Sequence, residues 1–416
     1  MWSDAVRKMQ RNTIILIIFA VTYLGIAMGR IPGLKLNRTG IALLGAIAMM
    51  LFGGVTTAAA VSYINSPTIS LLFGFFVISA QLRLSGFYDV VAVSLANQLR
   101  HPARFLLILM LAASGLSAFL NNDVVCLVFA PITGAALLRK KINPVPFLIA
   151  LAIASNLGAA ATVIGNPQNM MISQVAYLGF GPYLVWSIVP VLFALSAAYG
   201  IIWLMSRNHL QAAVAAQNAP PQQAYPYNRI HTIKGIIILI AVIGLFFTSL
   251  PKETIALAAA GIHLASTKFR TEDLLGLVDW SILVLFMGLF VVAGAFQSTG
   301  YGLQAVHSLA SCGYNLNAPL TLALTTAAVS NLIGNSAAVM LLLKITDLTQ
   351  HSVPYVLALS NSFGGNLIII GAVSNIIVVQ QAREMDIKIG FWDFARLGIP
   401  VTLVALAALI VRALLN

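Results

Sequence analysis

Charge is what this sequence has least of. Charged residues make up 8% of the 416, and acidic ones number only 11, where a soluble domain carries roughly 25% charged residues. Cysteine is nearly absent as well. Cys126 and Cys312 lie in apolar or interfacial stretches, too few for a disulfide framework, a thiolate metal site, or capture of zinc or arsenic by clustered thiols. No metal-ligand cluster, nucleophile–base pair or phosphate-binding loop is spelled out at matched depth in the apolar runs. A membrane-embedded enzyme or receptor is therefore poorly supported.

What is present is hydrophobicity, at 60% of the chain. Several apolar runs reach the ~20 residues that cross a bilayer as helix. The expectation is an all-α polytopic membrane protein, multi-pass in a bacterial inner (cell) membrane. The net charge of +12 then needs no nucleic acid, because basic loops held against anionic lipid explain it. Arg7, Lys8 and Arg11 precede the first apolar run like the start of a signal peptide. No small-x-small cleavage site follows, and the run reads as a retained span.

Spans read as 12–29, 40–58 and 66–84, followed by an interfacial segment to Arg100. An apolar hairpin occupies 104–138 and is closed by Arg139, Lys140 and Lys141. The stretch 145–177 is apolar at both ends, but Gly158, Gly165 and Pro167 disfavour continuous helix there, so a broken helix is expected. After a span at 183–205, residues 207–230 are rich in Ala, Gln and Pro and read as a cytoplasmic linker. Beyond it come spans at 231–249, 254–268 and 280–298, then an interfacial segment to about Gly313. A second hairpin at 319–350, a second broken helix at 353–383 and a last span at 392–415 complete the chain.

The linker separates two halves, 1–206 and 231–416, that repeat. Leu71, Gly74, Phe76, Val77 and Gly86 recur as Leu285, Gly288, Phe290, Val291 and Gly300, each 214 positions later. Ser117 and Asn122 recur as Ser330 and Asn335 with an offset of 213, and Gly158, Gly165 and Asn169 as Gly364, Gly371 and Asn375 with an offset of 206. Five crossings per half is an odd number, so the second copy must enter the membrane upside down. Inverted repeats with discontinuous helices meeting at mid-membrane are a secondary-transporter design. With both termini outside, most Lys and Arg, Arg38 among them, fall in cytoplasmic loops, as the positive-inside rule favours. Arg7, Lys8 and Arg11 fit that orientation poorly.

The candidate site follows from polar residues at membrane depth, which are costly unless they pair, line water or hold a ligand. The first hairpin offers Ser117, Asn121, Asn122 and Asp123, and the second Ser330, Asn331, Gly334, Asn335 and Ser336. The first break offers Ser155, Asn156, Gly158, Thr162, Gly165, Asn166, Pro167 and Asn169. The second offers Asn361, Asn366, Gly371, Ser374 and Asn375. Helix ends meeting there present unpaired N–H and C=O groups, suited to an anion and a cation respectively. No Lys or Arg stands at any tip or break, so an anion is expected to be held by dipoles, hydroxyls and amides. Plainer readings apply to single residues. An Asn at a tip caps helices and closes a turn, Asp123 serves as an N-cap, and His263, His307 and lone hydroxyls such as Ser114 are structural.

Phe119-Leu-Asn-Asn-Asp-Val with Pro131, and Ser155-Asn-Leu-Gly through Gly165-Asn-Pro-Gln-Asn169, resemble the ion transporter superfamily. That group includes arsenite permeases, citrate-transporter-like and divalent anion–sodium symporters, and sodium/proton antiporters. The likeness runs nearly the whole chain and is nearest to an anion-permease branch related to arsenite permeases. The superfamily's Ser-Asn-Thr tips fall on Asn121, Asn122 and Asp123, and on Gly334, Asn335 and Ser336. Its cation-binding hydroxyls fall on Ser117 and Ser330, and its Gly-Gly-x-Gly-Thr on Gly158-Ala-Ala-Ala-Thr162. The resemblance implies a homodimer with an elevator movement and no cofactor. It implies a small inorganic or organic anion as substrate and Na+ or H+ as coupling ion, with sodium at Ser117, Asn122, Ser330 and Asn335. Asp123 in place of a neutral Thr and Gly334 in place of a hydroxyl are departures. The expected function is ion-coupled secondary transport of a small anion or oxyanion. The alternative is a sodium/proton antiporter using Asp123.

Overall fold

The computed structural model describes residues 2–28, 36–96, 99, 101–207, 225–266, 268–302, 304, 308, 311 and 313–415, and within them all side chains except those of 2–8 and 27. Most of the expected linker, Cys312, His307 and much of the interfacial segment before Gly313 lie outside these residues.

The described residues hold nineteen α-helices, one 3-10 turn and no strand. In the first half these are α1 Trp2–Met28, α2 Arg38–Leu51, α3 Thr57–Tyr63, α4 Ser66–Leu84, α5 Phe87–Ala96, α6 Pro102–Phe119, α7 Asn122–Arg139, α8 Val145–Ala159, α9 Pro167–Val175 and α10 Phe180–Ser206. In the second they are α11 Arg229–Leu245, α12 Lys252–Leu264, α13 Thr271–Gly276, α14 Trp280–Ser298, α15 Pro319–Ile333, α16 Asn335–Ile345, α17 Val353–Gly364, the 3-10 turn Ile369–Gly371, α18 Val373–Glu384 and α19 Phe391–Leu414. Seven are long and apolar enough to cross a membrane: α1, α4, α6, α7, α10, α14 and α19.

Local chemistry sets the boundaries. Asn65 Oδ1 accepts from the Thr68 amide at 2.9 Å to start α4, and Asp279 Oδ1 accepts from the Ile282 amide at 3.0 Å to start α14. The two helices are followed by glycines at positive φ, Gly86 (74°) and Gly300 (78°), a conformation that costs glycine least. The span read at 40–58 is in fact divided. α2 stops at Leu51, Gly54 takes φ 64°, and Thr56 caps α3. Gly53 and Gly54 interrupt an apolar run that hydropathy alone joins. Arg11 Nε donates to the Gly53 carbonyl at 3.0 Å, which gives one of the poorly placed basic residues a structural partner.

Lipid tails are as apolar as leucine, so burial does little to hold spanning helices together and close approach at small residues does more. Val185, Phe193 and Leu324 remain exposed, while glycines occupy the crossings. A Cβ on Gly74 of α4 would fall 2.7 Å from the Ala256 carbonyl of α12, and one on Gly288 of α14 would fall 2.9 Å from the Ala42 carbonyl of α2. The pairs 74/288 and 42/256 are each 214 apart, so this is one contact made twice with the halves exchanged. Gly158 against Ser114 and Gly364 against Ala327 also repeat, but within each half. Exchange of partners is what a two-fold operator relating the halves produces.

Candidate functional site

Both hairpins turn within two residues or fewer. α6 ends at Phe119 and α7 begins at Asn122, with Asn121 as its N-cap: Asn121 Oδ1 accepts from the Asp123 amide at 2.9 Å. The cap is Asn121 and not Asp123. The Asp123 carboxylate, in the first turn of α7, makes no hydrogen bond or ion pair among the described residues. In the second hairpin Gly334 alone joins α15 to α16, at φ 86°, and no side chain caps α16.

Each broken helix is held open by the same device. Breaking a helix frees carbonyls that need donors. Asn169 Nδ2 donates to the Ala159 and Thr162 carbonyls at 3.2 and 3.0 Å, and Asn375 Nδ2 to the Gly365 and Ile368 carbonyls at 2.7 and 3.1 Å. Gly165 lies over the Ala159 carbonyl and Gly371 over that of Gly365, both too close for a Cβ. Thr162 Oγ1 donates to the Ala118 carbonyl and ties the first break to α6.

Tips and breaks are joined by a buried polar network. Ser117 and Ser155 share a hydrogen bond of 2.8 Å, and Ser155 Oγ donates to the Asn122 carbonyl at 3.1 Å. The second half repeats this with Asn361 Nδ2, which donates to Ser330 Oγ at 2.8 Å and to the Asn335 carbonyl at 3.2 Å. Asn331 Nδ2 donates to the Ala327 and Gly364 carbonyls, both at 2.8 Å. Asn156 connects the halves. Its Oδ1 accepts from Asn122 Nδ2 at 3.2 Å and Ser374 Oγ at 2.7 Å, and its Nδ2 donates to Asn366 and Asn375 Oδ1 at 2.9 and 3.0 Å. Asn166 Nδ2 reaches Ser362 Oγ at 3.0 Å. Most buried polar atoms find partners. Here the side-chain oxygens of Asn122, Asn169, Asn331, Asn335 and Asn361 and the Asn366 Nδ2 do not.

A cavity of about 70 Å³ lies at the centre, room for more than one water-sized body. Of the expected residues it is lined by Asn122, Asp123, Asn156, Asn166, Pro167, Gly334, Asn335, Ser336 and Gly371. Ser117, Ser155, Gly158, Thr162, Gly165, Asn169, Ser330, Asn331, Asn361, Asn366, Ser374 and Asn375 stand behind the wall. A second, more open cavity of about 380 Å³ meets Asn121 and Asp123 from another side and is also lined by Arg83 and Asp279. Asp123 borders both.

One expectation is corrected. A guanidinium does line the central cavity: Arg38, the first residue of α2. A Cβ built on Gly334 would meet Arg38 Nη1 at 3.1 Å. The tips themselves hold no basic residue, but the fold brings one across from the other half. Gln168, whose Nε2 donates to Ser336 Oγ at 2.9 Å, and the apolar wall of Ile282, Leu285 and Leu289 also went unread. Gln168 sits inside a motif already singled out, and its polarity at that depth was the available signal.

Two polar hairpin tips facing two broken helices inside an integral, multi-pass helical membrane protein define a membrane transporter, not an enzyme. The chain belongs to the citrate transporter family CitMHS, whose model matches residues 14–355. It is 31% identical to an uncharacterized transporter of Mycobacterium tuberculosis, over 94% of this chain and 96% of that protein. It is 24% identical to a silicon efflux transporter of Oryza sativa subsp. japonica, over 94% and 95%. The solved YdaH transporter of Alcanivorax borkumensis has a similar fold, with a TM-score of 0.60 at 15% identity, covering 97% of both chains.

Proposed function

We propose that the protein is an ion-coupled secondary transporter of a small anion or oxyanion. The observation that carries this reading is the central cavity, where both hairpin tips and both helix breaks converge on a space too small for a large solute. The first tip supplies a carboxylate, Asp123, and the unpartnered Asn122 oxygen, groups suited to Na+ or H+. Ser117 and Ser330, each within hydrogen-bond reach of the partner that positions its tip, fit the sodium role that the resemblance implies. In this reading the two halves are inverted repeats with both termini outside. The hairpins and broken helices move as one body past the α2, α4, α12 and α14 scaffold, and two copies form the working unit.

A second reading, sodium/proton antiport through Asp123, is favoured by one observation: the open cavity beside Asp279 and Arg83 gives that carboxylate a route separate from the central site. Uptake into proteoliposomes separates the two. A panel of anions is offered under a sodium gradient, a proton gradient or neither. Gradient-dependent accumulation of an anion is the expected result. Sodium-for-proton exchange with no anion moved would replace the first reading with the second.

A further inference from the structure

We propose that Arg38 is the substrate-anion ligand of the central site and that the bound anion bridges α2 to the tip of the second hairpin. The proposal rests on the anion-transport reading and deepens it.

An arginine at the start of an apolar helix ordinarily turns its guanidinium to water or pairs it. Arg38 is only partly exposed and has no hydrogen-bond or ion-pair partner among the described residues. A carboxylate borders the same cavity, yet Asp123 and Arg38 make no ion pair. The cavity therefore has a positive group at the second tip and a negative one at the first. A half-buried guanidinium without a counter-charge is costly unless a ligand supplies one.

What surrounds Arg38 is suited to an anion. α16 starts at Asn335 directly after Gly334, and no side chain caps it, so its first amides lack intrahelical partners and its dipole favours negative charge. Ser336 lies on the same turn and lines the cavity. At Gly334 the absent side chain leaves room for the guanidinium, since a Cβ would come within 3.1 Å of Nη1. The residue that removes a hydroxyl from the second tip thus admits a stronger donor from α2. Arg presents a planar fork that matches carboxylate and oxyanion geometry, which an ammonium does not. The class of ligand is therefore a carboxylate or a polyvalent oxyanion.

The test is binding to the purified, full-length protein, read as thermal stabilisation. Citrate, phosphate and sulfate are titrated against chloride at matched ionic strength, with wild type, Arg38→Gln and Arg38→Lys. At least one of the three anions is expected to raise the melting temperature of wild type above chloride. Its apparent dissociation constant is expected to weaken at least tenfold in Arg38→Gln, and less in Arg38→Lys. In chloride alone, Arg38→Gln is expected to melt at or above wild type, because no partner among the described residues is lost. An unchanged dissociation constant in Arg38→Gln, a lower melting temperature of that variant in chloride, or no stabilisation by any of the three overturns the proposal. Gradient-driven anion uptake with an unaltered KM in Arg38→Gln defeats this inference and leaves the transport reading standing. Binding through Arg38 without any transport does the reverse.

Discussion

Asn156 and Asn122 both border the central cavity, yet the structure assigns them opposite consequences on mutation. Asn156 makes four side-chain hydrogen bonds, to Asn122, Ser374, Asn366 and Asn375. Asn122 contributes one of these through its Nδ2, its side-chain oxygen has no partner, and its carbonyl still accepts from Ser155 when the side chain is gone. Side-chain hydrogen bonds inside membrane proteins are worth about 0.6 kcal/mol on average and about 1.7 at most. Four of them lost together in Asn156→Ala amount to roughly 2–4 kcal/mol, allowing for the unpaired groups left behind. Asn122→Ala loses about 0.6–1 kcal/mol by the same count. Reversible unfolding of the purified protein in micelles, followed by helical signal, measures both. Asn156→Ala should unfold at clearly lower denaturant, while Asn122→Ala should fold almost as wild type and still fail to transport in proteoliposomes. Equal destabilisation of the two, or a cost under about 1 kcal/mol for Asn156→Ala, would refute the network as the element that holds the breaks to the tips.

Other outcomes follow from the same geometry. In a background with both native cysteines replaced by serine, Val124→Cys should label more readily from the cytoplasm and Ile333→Cys from outside. Equal labelling of both from one face would end the inverted topology. Gly158→Ala drives a Cβ into the Ser114 backbone and should cost at least about 1–3 kcal/mol, the usual range for overpacking. Gly115→Ala, which meets nothing within 4 Å, should be neutral in the same unfolding assay in micelles. Asp123→Asn should leave anion binding measurable while making net transport indifferent to an imposed pH gradient. Undiminished pH-driven accumulation in that variant would remove the carboxylate from coupling.

The parts of the fold that were legible are those where one local signal ends another. Ser66–Leu84 and Trp280–Ser298 lie where the apolar runs place them, because Asn65 and Asp279 cap them and Gly86 and Gly300 follow them. The hairpin tips were legible because polar residues interrupt apolar runs. The division of 40–58 was not, since Gly53 and Gly54 sit among residues that hydropathy treats as one segment. Within the site, residue type marked the polar stations but not which way each faces. Asn169 and Asn375 read as ligands; their Nδ2 atoms go to freed carbonyls, while the Asn169 side-chain oxygen keeps no partner. Arg38 was unreadable as a cavity residue, because its neighbour is the backbone of Gly334 in the other half, and no local pattern encodes that approach.

The exchanged packing of the halves also bears on how the chain is made. Gly74 of α4 and Ala42 of α2 present bare backbone to helices, α12 and α14, that leave the ribosome about two hundred residues later. Until those arrive, the first half waits in the bilayer with two grooves open and its own helices unable to close them. The halves interlock, so neither completes its packing alone, and the site between them exists only after the last of the crossed helices has entered.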